Sequence, residues 1–313
     1  GIIFTMKVNI LMSTYNGQEF LADQIRSIQE QTYTDWTLLI RDDGSKDRTR
    51  EIIAKFVQED SRIYFINPES RENLGVIGSF HALVQCKTAD MYFFSDQDDV
   101  WLPEKLELTL RKAQEYPVEQ PLMVYTDLTV VDQDLNVMTE SMIRSQSHHA
   151  NTKLVQELTE NTVTGGTSMI NHALAQLWTV TDGILMHDWY LALLASSLGS
   201  LDYIDQPTEL YRQHAENVLG ARTLSKRFKK WIRPHVLFSV YWDLIKNSQR
   251  QARYLLELPI SAADKELIEA FVTIMDKPML ERLHTLRKYG LRKNKAFHTV
   301  VFSTLIVTKF AYK

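Results

Sequence analysis

The sequence predicts an α/β fold, in which a mostly parallel sheet is flanked by helices and followed by a helical C-terminal region. Short apolar runs alternate with amphipathic stretches between residues 7 and 127, and polar clusters follow the first, second and fourth runs. Strands that alternate with helices form crossover units with parallel strands. Because ligands of such sheets bind beyond the carboxyl ends of the strands, we expect a binding site at these clusters.

Five short runs rich in β-branched and aromatic residues are predicted strands. They are Val8–Met12, Trp36–Ile40, Ile63–Ile66, Met91–Phe94 and Leu122–Tyr125. Four stretches with apolar residues at helical spacing are predicted helices. They are Gln18–Gln29, Asp47–Val57, Val76–Val84 and Pro103–Ala113. Beyond residue 127 the alternation weakens, and from about residue 223 the chain reads as helical and basic.

The composition is that of a packed globular protein. Of 313 residues, 44% are hydrophobic and 24% are charged, which excludes a disordered, collagen-like or coiled-coil chain. The single cysteine, Cys86, excludes an intrachain disulfide and a thiolate metal cluster, and it fits a reducing compartment. With no signal-peptide pattern at the N-terminus, we expect a cytoplasmic location.

Positive charge is concentrated near the C-terminus. Residues 222–235 carry six Lys and Arg and residues 282–313 carry eight, with no acid in either segment; removing these 14 charges from the net charge of −4 leaves −18. These segments have four possible explanations: a solvent-exposed face, contact with an anionic membrane surface, a dimer contact, or nucleic-acid binding, which is the least favoured. The uncharged run 296–308 has 13 residues, fewer than the roughly 20 that a membrane-spanning helix needs.

The acidic cluster Asp96-Gln97-Asp98-Asp99 gives the strongest indication of chemistry. Three carboxylates within four positions repel one another unless a cation or a donor-rich ligand joins them. Mg²⁺ and Mn²⁺ are hard ions that bind to one or two carboxylates, and the phosphates of a substrate usually complete their coordination shell. The alternative is a solvated acidic turn before the next helix. No glycine-rich phosphate motif occurs in the chain, so dinucleotide-binding and P-loop folds are excluded.

A second acidic pair, Asp42 and Asp43, follows the second predicted strand. A carboxylate at this position can accept hydrogen bonds from a base imide or a ribose hydroxyl. A turn at Gly44 and a helix cap by Asp47 explain part of the segment without any ligand. The sequence leaves both interpretations open.

Three motifs together resemble family 2 glycosyltransferases of the GT-A fold. They are Ile10–Gly17 (ILMSTYNG), Arg41–Ser45 (RDDGS) and Phe94–Pro103 (FSDQDDVWLP), in the expected order and spacing. The resemblance covers about residues 7–220, and within the family it is strongest to rhamnosyltransferases that build streptococcal rhamnose-rich cell-wall polysaccharides. It implies a GT-A catalytic domain at 6–220, followed by a basic helical region at 221–313.

The resemblance also implies residue roles. The residues implied for the nucleotide-sugar are Thr14, Tyr15, Asn16, Asp42, Asp43, Asp96 and Arg212. Those implied for Mn²⁺ or Mg²⁺ are Asp98, Asp96, Asp99 and His214, where a structural histidine is the alternative for His214. The acceptor would contact Gly165, Gly166 and Trp189.

An inverting transfer also needs a base for the acceptor hydroxyl. In the family this base lies before a helix, in a motif of two acids or of an acid followed by Trp. The segment His187-Asp188-Trp189 has the acid and the Trp, with His187 where a first acid is common. The resemblance therefore assigns the role to Asp188. The alternative is that Asp188 only caps a helix over 189–197.

The expected reaction is transfer of L-rhamnose from dTDP-β-L-rhamnose to a lipid-linked cell-wall polysaccharide precursor. The protein is expected to be peripheral on the inner face of the plasma membrane. Three alternatives stay open. They are a transferase of galactose or glucose from a UDP- or dTDP-sugar, a sugar nucleotidyltransferase, and a non-catalytic nucleotide-sugar-binding protein.

Overall fold

A computed structural model describes residues 6–213 and 234–313 of the chain. The strands are β1 (Val8–Thr14), β2 (Trp36–Asp42), β3 (Ile63–Phe65), β4 (Met91–Ser95), β5 (Val100–Trp101), β6 (Leu122–Val131), β7 (Val137–Thr139), β8 (Ser168–Asn171) and β9 (Ser200–Arg212). They form one sheet in the order β3-β2-β1-β4-β8-β6-β9-β5, with β7 paired to β6.

Helices flank this sheet and continue to the C-terminus. They are α1 (Leu21–Gln29), α2 (Thr49–Glu59), α3 (Gly75–Cys86), α4 (Lys105–Ala113), α5 (Leu154–Thr159), α6 (His172–Ala175), α7 (His187–Leu198), α8 (Pro234–Arg253), α9 (Ala262–Val272), α10 (Met279–Tyr289) and α11 (Ala296–Thr308). The α/β prediction is confirmed, and α1 to α4 lie within a few residues of their predicted bounds. The basic residues at 222–233 and the proposed domain boundary at 220 lie outside the described residues.

The sheet is parallel only in part. Strands β3, β2, β1 and β4 pair in parallel, as the sequence predicts. Strand β8 then lies antiparallel between β4 and β6, and β5 pairs antiparallel with β9. The sequence does not reveal β8 because it has only four residues, and it does not reveal β9 because that strand carries acids and a proline.

Alternate residues of the central strands enter two hydrophobic cores, one on each face of the sheet. Ile10 and Met12 of β1 pack with α1 and α4, whereas Leu11 packs on the opposite face with α3 and α7. This alternation is the two-residue period of a strand that is buried on both faces. The second core extends into the C-terminal helices through residues such as Trp242 and Phe302, so α7 packs between the sheet and these helices.

One buried arginine, Arg282, holds two of the C-terminal helices together. The guanidinium of Arg282 is buried and donates to the carbonyl oxygens of Lys277, Ile306 and Val307, which joins α10 to the end of α11. Within residues 6–213 and 234–313, no helix has both the length and the apolar composition needed to cross a membrane.

Candidate active site

The first two motif loops meet where β1 and β2 end. Parallel register places Thr14 opposite Asp42. The backbone N–H of Asn16 donates to Oγ of Ser45 at 2.8 Å, and Oδ1 of Asn16 accepts from the N–H of Lys46 at 2.9 Å. The two loops therefore form one hydrogen-bonded surface at the sheet edge.

The third motif loop joins this surface through Gln97. Its side-chain Oε1 accepts from the N–H of Tyr15 at 2.8 Å, and its Nε2 donates to the carbonyl oxygen of Tyr15 at 2.9 Å. Gly17 lies underneath, where a β-carbon would come within 2.3 Å of Oε1 of Gln97. Only glycine leaves room for Gln97 in this position, so the contact between the first and third loops requires glycine at position 17.

Asp42 organises its own loop. Its buried carboxylate accepts from the hydroxyl of Thr14 at 2.8 Å, from the N–H of Ser45 at 2.8 Å and from Arg50 at 3.1 Å. Burial opposes ionisation, but the hydrogen bonds from Ser45, Thr14 and Arg50 outweigh it and lower the pKa of Asp42. The structure thus gives the buried side chains of Thr14 and Asp42 a role in holding the turn, and their contact with a nucleotide stays a prediction.

The neighbouring carboxylate of Asp43 is held between Arg41 and the start of α3. Arg41 Nη1 lies 2.6 Å from Oδ1, and the N–H groups of Leu74 and Gly75 donate to the same carboxylate at 2.7 and 3.1 Å. Tyr15, in contrast, is 49% exposed. Tyr15 and Asn16 are therefore the exposed members of the predicted nucleotide-binding set, and Asp43 lies buried behind them.

Strand β9 brings the acidic loop next to the Tyr-Arg-x-His segment. Val100, which follows the acidic cluster, pairs with Leu210. Arg212 Nη1 donates to the carbonyl oxygen of Asp98 at 3.2 Å, and its guanidinium stacks over Phe20 at 4.0 Å. Arg212 is buried, so the structure uses it to hold the loop. His214 lies outside the described residues.

Two functional candidates, Glu209 and Lys105, escaped the sequence analysis. Glu209 and Asp99 are fully buried, and among the described residues no N–H or hydroxyl group donates to their carboxylate oxygens, which lie within hydrogen-bonding reach of each other. The ammonium group of Lys105, also buried, donates to the hydroxyl of Thr208 at 3.1 Å. Glu209 is more than 100 residues from the acidic cluster along the chain, and only the pairing of β9 with β5 brings them together.

The electrostatics of this cluster follow from burial. The protein that surrounds the partly exposed Asp96 desolvates its carboxyl group and raises its pKa to about 7, and the charges of Glu209, Asp98 and Asp188 add to this effect. Burial likewise raises the pKa of Glu209 to about 7, against the opposing charge of Lys105. The charge of Asp188 thus adds to the negative potential around the acidic loop.

Asp188 is the second residue of α7, and its carboxylate is held from outside that helix. The N–H of Gly165 donates to Oδ2 at 3.0 Å, and the side-chain amide of Asn161 donates to Oδ1 at 3.1 Å. The helix begins at His187, with Met186 as its cap residue, so these bonds do not make Asp188 the cap of a helix starting at Trp189. The capping alternative is wrong in that form.

The residues beside Asp188 have packing roles. His187 is buried and stacks on Phe80, with ring centroids 4.6 Å apart, and burial lowers its pKa to about 3, which keeps it neutral. Trp189 is buried and donates its indole N–H to the carbonyl oxygen of Glu157 at 2.7 Å. The structure therefore places Trp189 in the core, and its contact with the acceptor stays a prediction.

Gly165 and Gly166 form a short turn between the base and the acidic loop. Gly165 donates to Asp188 as described. A β-carbon on Gly166 would come within 2.8 Å of Oε2 of Glu209 and 3.2 Å of Oδ2 of Asp99. Two consecutive residues thus contact the candidate base on one side and the buried carboxyl pair on the other.

The carboxylates of the acidic loop are chemically suited to Mn²⁺ or Mg²⁺. Asp96 and Asp98 are partly exposed oxygen donors at a strand end, where phosphate oxygens of a donor could complete the shell of such an ion. Within residues 6–213 and 234–313, no three acidic, histidine or cysteine side chains are grouped so that they could hold an ion by themselves. The donor chemistry fits the ion, and the ligand set stays a prediction.

Comparison with known proteins identifies the family. The family model described as "Glycosyl transferase family 2" matches residues 9–177, more than half of the chain. A dTDP-rhamnosyl transferase from Shigella flexneri, RfbG, is 29% identical over 72% of this chain and 82% of its own length. The Escherichia coli enzyme WfgD, a UDP-Glc:alpha-D-GlcNAc-diphosphoundecaprenol beta-1,3-glucosyltransferase, is 34% identical over 33% of this chain and 39% of its own length.

Solved structures identify the fold. TarS from S. aureus, in complex with UDP-GlcNAc, superposes with a TM-score of 0.58 at 15% identity and covers 91% of this chain and 80% of its own. The mannosyltransferase PcManGT from Pyrobaculum calidifontis, in complex with GDP-Man and Mn²⁺, gives a TM-score of 0.55 at 11% identity, covering 92% and 74%. The GT-A fold predicted from the three motifs is confirmed.

Proposed function

Because the chain belongs to glycosyltransferase family 2, we propose that it transfers a sugar, with inversion, from a nucleotide-sugar to a hydroxyl group of a lipid-linked glycan. The observation that carries this proposal is the position of Asp188. Its carboxylate is held by Gly165 and Asn161, and a β-carbon on the adjacent Gly166 would come within 3.2 Å of Asp99 in the acidic loop. A base and a diphosphate-binding loop on either side of one reacting carbon are what a single displacement requires.

In the proposed reaction, the loop residues Tyr15 and Asn16 bind the nucleotide and the acidic loop faces its diphosphate. Asp188 accepts the proton of the acceptor hydroxyl as the hydroxyl oxygen bonds to the anomeric carbon and the bond from that carbon to the nucleoside diphosphate breaks. Its two hydrogen bonds fix the carboxylate in place, which lowers the entropic cost of reaching the transition state. A bound Mn²⁺ or Mg²⁺ ion, held by Asp98 and Asp96, would neutralise charge on the leaving diphosphate.

For the donor we propose dTDP-β-L-rhamnose, supported by the similarity to the S. flexneri enzyme over most of both chains. A UDP-hexose is the second candidate, because the E. coli enzyme that shares 34% identity over part of the chain is named as a glucosyltransferase. That enzyme's name also specifies a diphosphoundecaprenol-linked acceptor, which supports a lipid-linked acceptor here. A cell-wall polysaccharide precursor is the acceptor class that we propose.

An acceptor of this kind places the reaction at a membrane surface, and α11 supports such a location. The helix has no charged residue, yet Phe297 and Val300 on one of its faces are 72% and 65% exposed. The exposed Lys309 follows the helix directly. Apolar side chains beside lysines fit the interface of an anionic membrane. We therefore propose peripheral attachment through this face on the inner side of the plasma membrane.

The test is release of nucleoside diphosphate from dTDP-rhamnose, UDP-glucose and UDP-galactose, with and without a lipid-linked acceptor. We expect acceptor-dependent release of dTDP from dTDP-rhamnose. Acceptor-dependent UDP release would instead select the hexosyltransferase alternative. Release of pyrophosphate from a sugar phosphate and dTTP would indicate a sugar nucleotidyltransferase, and binding without turnover would indicate a nucleotide-sugar-binding protein; either result would overturn the proposal.

A further inference from the structure

The buried carboxyl groups of Asp99 and Glu209 have no part in the steps proposed above. They come from different elements, the acidic loop and β9, and both contact the same residue, Gly166. Their side chains are fully buried, no described N–H or hydroxyl group donates to their oxygens, and the two carboxyl groups hydrogen-bond to each other. Two carboxyl groups that have only each other as hydrogen-bond partners are costly in a protein interior. Their presence in one cluster therefore calls for a physical explanation.

Lys105 is the cationic group that faces this cluster. Its ammonium is buried, is held by Thr208 of β9, and interacts electrostatically with Glu209, Asp99 and Asp96. One ammonium thus stands among carboxyl groups of the acidic loop and β9. Removing one member would leave the others poorly compensated, so these residues act as a unit.

This unit connects the donor side of the site to the acceptor side. Asp99 directly follows Asp98, whose carbonyl oxygen accepts from Arg212, three residues beyond Glu209 on β9. On the other side, Gly166 packs against both carboxyl groups, and its neighbour Gly165 donates to Asp188. The acidic loop is therefore held between β9 and the glycine turn that carries the base.

We propose that Glu209 is a positioning residue for nucleotide-sugar binding, which together with Asp99 and Lys105 holds the acidic loop against the Gly165–Gly166 turn. The more exposed carboxylates of the loop, Asp96 and Asp98, then face the donor diphosphate at a fixed distance from Asp188. This inference rests on the proposed function, because it assigns Glu209 to the donor half of that same site.

The first test compares two substitutions of Glu209. Glu209→Gln keeps the side-chain shape and can donate an N–H to Asp99, so we expect dTDP and UDP to bind, in the presence of Mg²⁺, within about threefold of the wild-type affinity. Glu209→Leu keeps the volume but leaves Asp99 and Lys105 without their partner. We expect it to weaken nucleotide binding by roughly tenfold, measured by isothermal titration calorimetry on the full chain.

A matched control separates positioning from general destabilisation. Glu157 on α5 is another fully buried glutamate. Its carboxylate accepts from the side chain of Asn151 and from the N–H of Thr162, which follows Asn161 in the chain. We expect Glu157→Leu to lower the melting temperature as Glu209→Leu does, but to leave nucleotide affinity unchanged. Equal loss of nucleotide affinity in both variants would mean that Glu209 is merely structural and would overturn the inference.

Gly166→Ala keeps the proposal testable if Glu209→Leu does not fold. The added methyl group would press on Glu209 and Asp99 while every charged group remains, so weaker nucleotide binding is expected. Wild-type nucleotide affinity in this variant, or in a folded Glu209→Leu, would overturn the inference alone. If the wild-type chain binds neither dTDP nor UDP, the proposed function itself fails, so the two failures are distinguishable.

Discussion

The backbone N–H of Gly165 donates a hydrogen bond to Oδ2 of Asp188 at 3.0 Å, across the space between a glycine turn and the first turn of α7. Position 165 cannot hold a large side chain, because a β-carbon on Gly165 would lie 3.3 Å from Nε2 of the buried His187. The candidate base is thus fixed by backbone from another part of the chain. This arrangement keeps one carboxylate oxygen oriented while the other is held by an amide.

We expect Asp188→Asn to lower kcat by about 10²–10⁴, the range that a positioned general base contributes. The amide has nearly the shape of the carboxylate but cannot accept the acceptor proton. Steady-state release of nucleoside diphosphate with acceptor present measures kcat, and calorimetry should give an unchanged nucleotide Kd. Asp134→Asn, at an exposed turn, serves as the control. A variant of Asp188 that keeps more than a tenth of wild-type kcat would remove it from the mechanism.

Gly17→Ala should raise the KM for the donor, because the added methyl group cannot share its space with Gln97. Overpacking of this kind costs about 1–3 kcal/mol, and here it also breaks the two bonds between Gln97 and Tyr15. The double variant with Gln97→Ala relieves the clash, so the two substitutions should cost less together than the sum of their separate effects. Strictly additive effects on melting temperature and KM would contradict the contact.

Because of His187, the free energy of unfolding should decrease as the pH is lowered below about 6.5. Burial lowers the pKa of His187 from 6.5 to about 3, so the unfolded chain takes up a proton between these values and the native state does not. Unfolding therefore becomes easier as pH falls from about 6.5 towards about 3. Urea unfolding at pH 7.5 and pH 5 should show a smaller loss of stability in His187→Phe than in the wild type. Equal losses would mean that His187 is not buried as a neutral ring.

Chelation should abolish transfer, and Mn²⁺ or Mg²⁺ should restore it. Asp98→Asn is expected to raise the Mn²⁺ concentration needed for half-maximal activity by at least about tenfold, since an amide oxygen is a weaker ligand than a carboxylate. Titration of activity with Mn²⁺ after treatment with EDTA measures this shift. Transfer that persists undiminished in EDTA would exclude the ion from the reaction.

Serine substitutions at Phe297 and Val300 should reduce flotation with liposomes that contain anionic lipid, since they remove the apolar area that would enter the interface. Val137 and Met138 provide a matched control, because they are 59% and 58% exposed on β7, outside the basic region. Serine at those two positions should leave flotation unchanged. Wild-type flotation that is absent, or that ignores salt and lipid charge, would contradict the membrane face.

The sequence alone determined the parallel half of the sheet, its flanking helices and the three loops at its edge. Each of these depends on neighbours within a few residues: alternating or helical spacing of apolar side chains, followed by polar turns. The motifs that lie in those loops also sufficed for the family resemblance, which the family model and the solved structures confirm. They could not reveal that Asp42 and Asp43 are largely committed to hydrogen bonds within the protein.

The tertiary structure decided what depends on distant pairing. Strand β8 enters the sheet antiparallel, β9 brings Glu209 and Arg212 to the acidic loop, and the glycine turn brings Gly165 to Asp188. Neither β8 nor β9 has a periodic signal strong enough to recognise, and contacts over 20 to more than 100 residues leave no local pattern. Burial, which raises the pKa of Glu209 and lowers the pKa values of Lys105 and His187, exists only once the chain has packed.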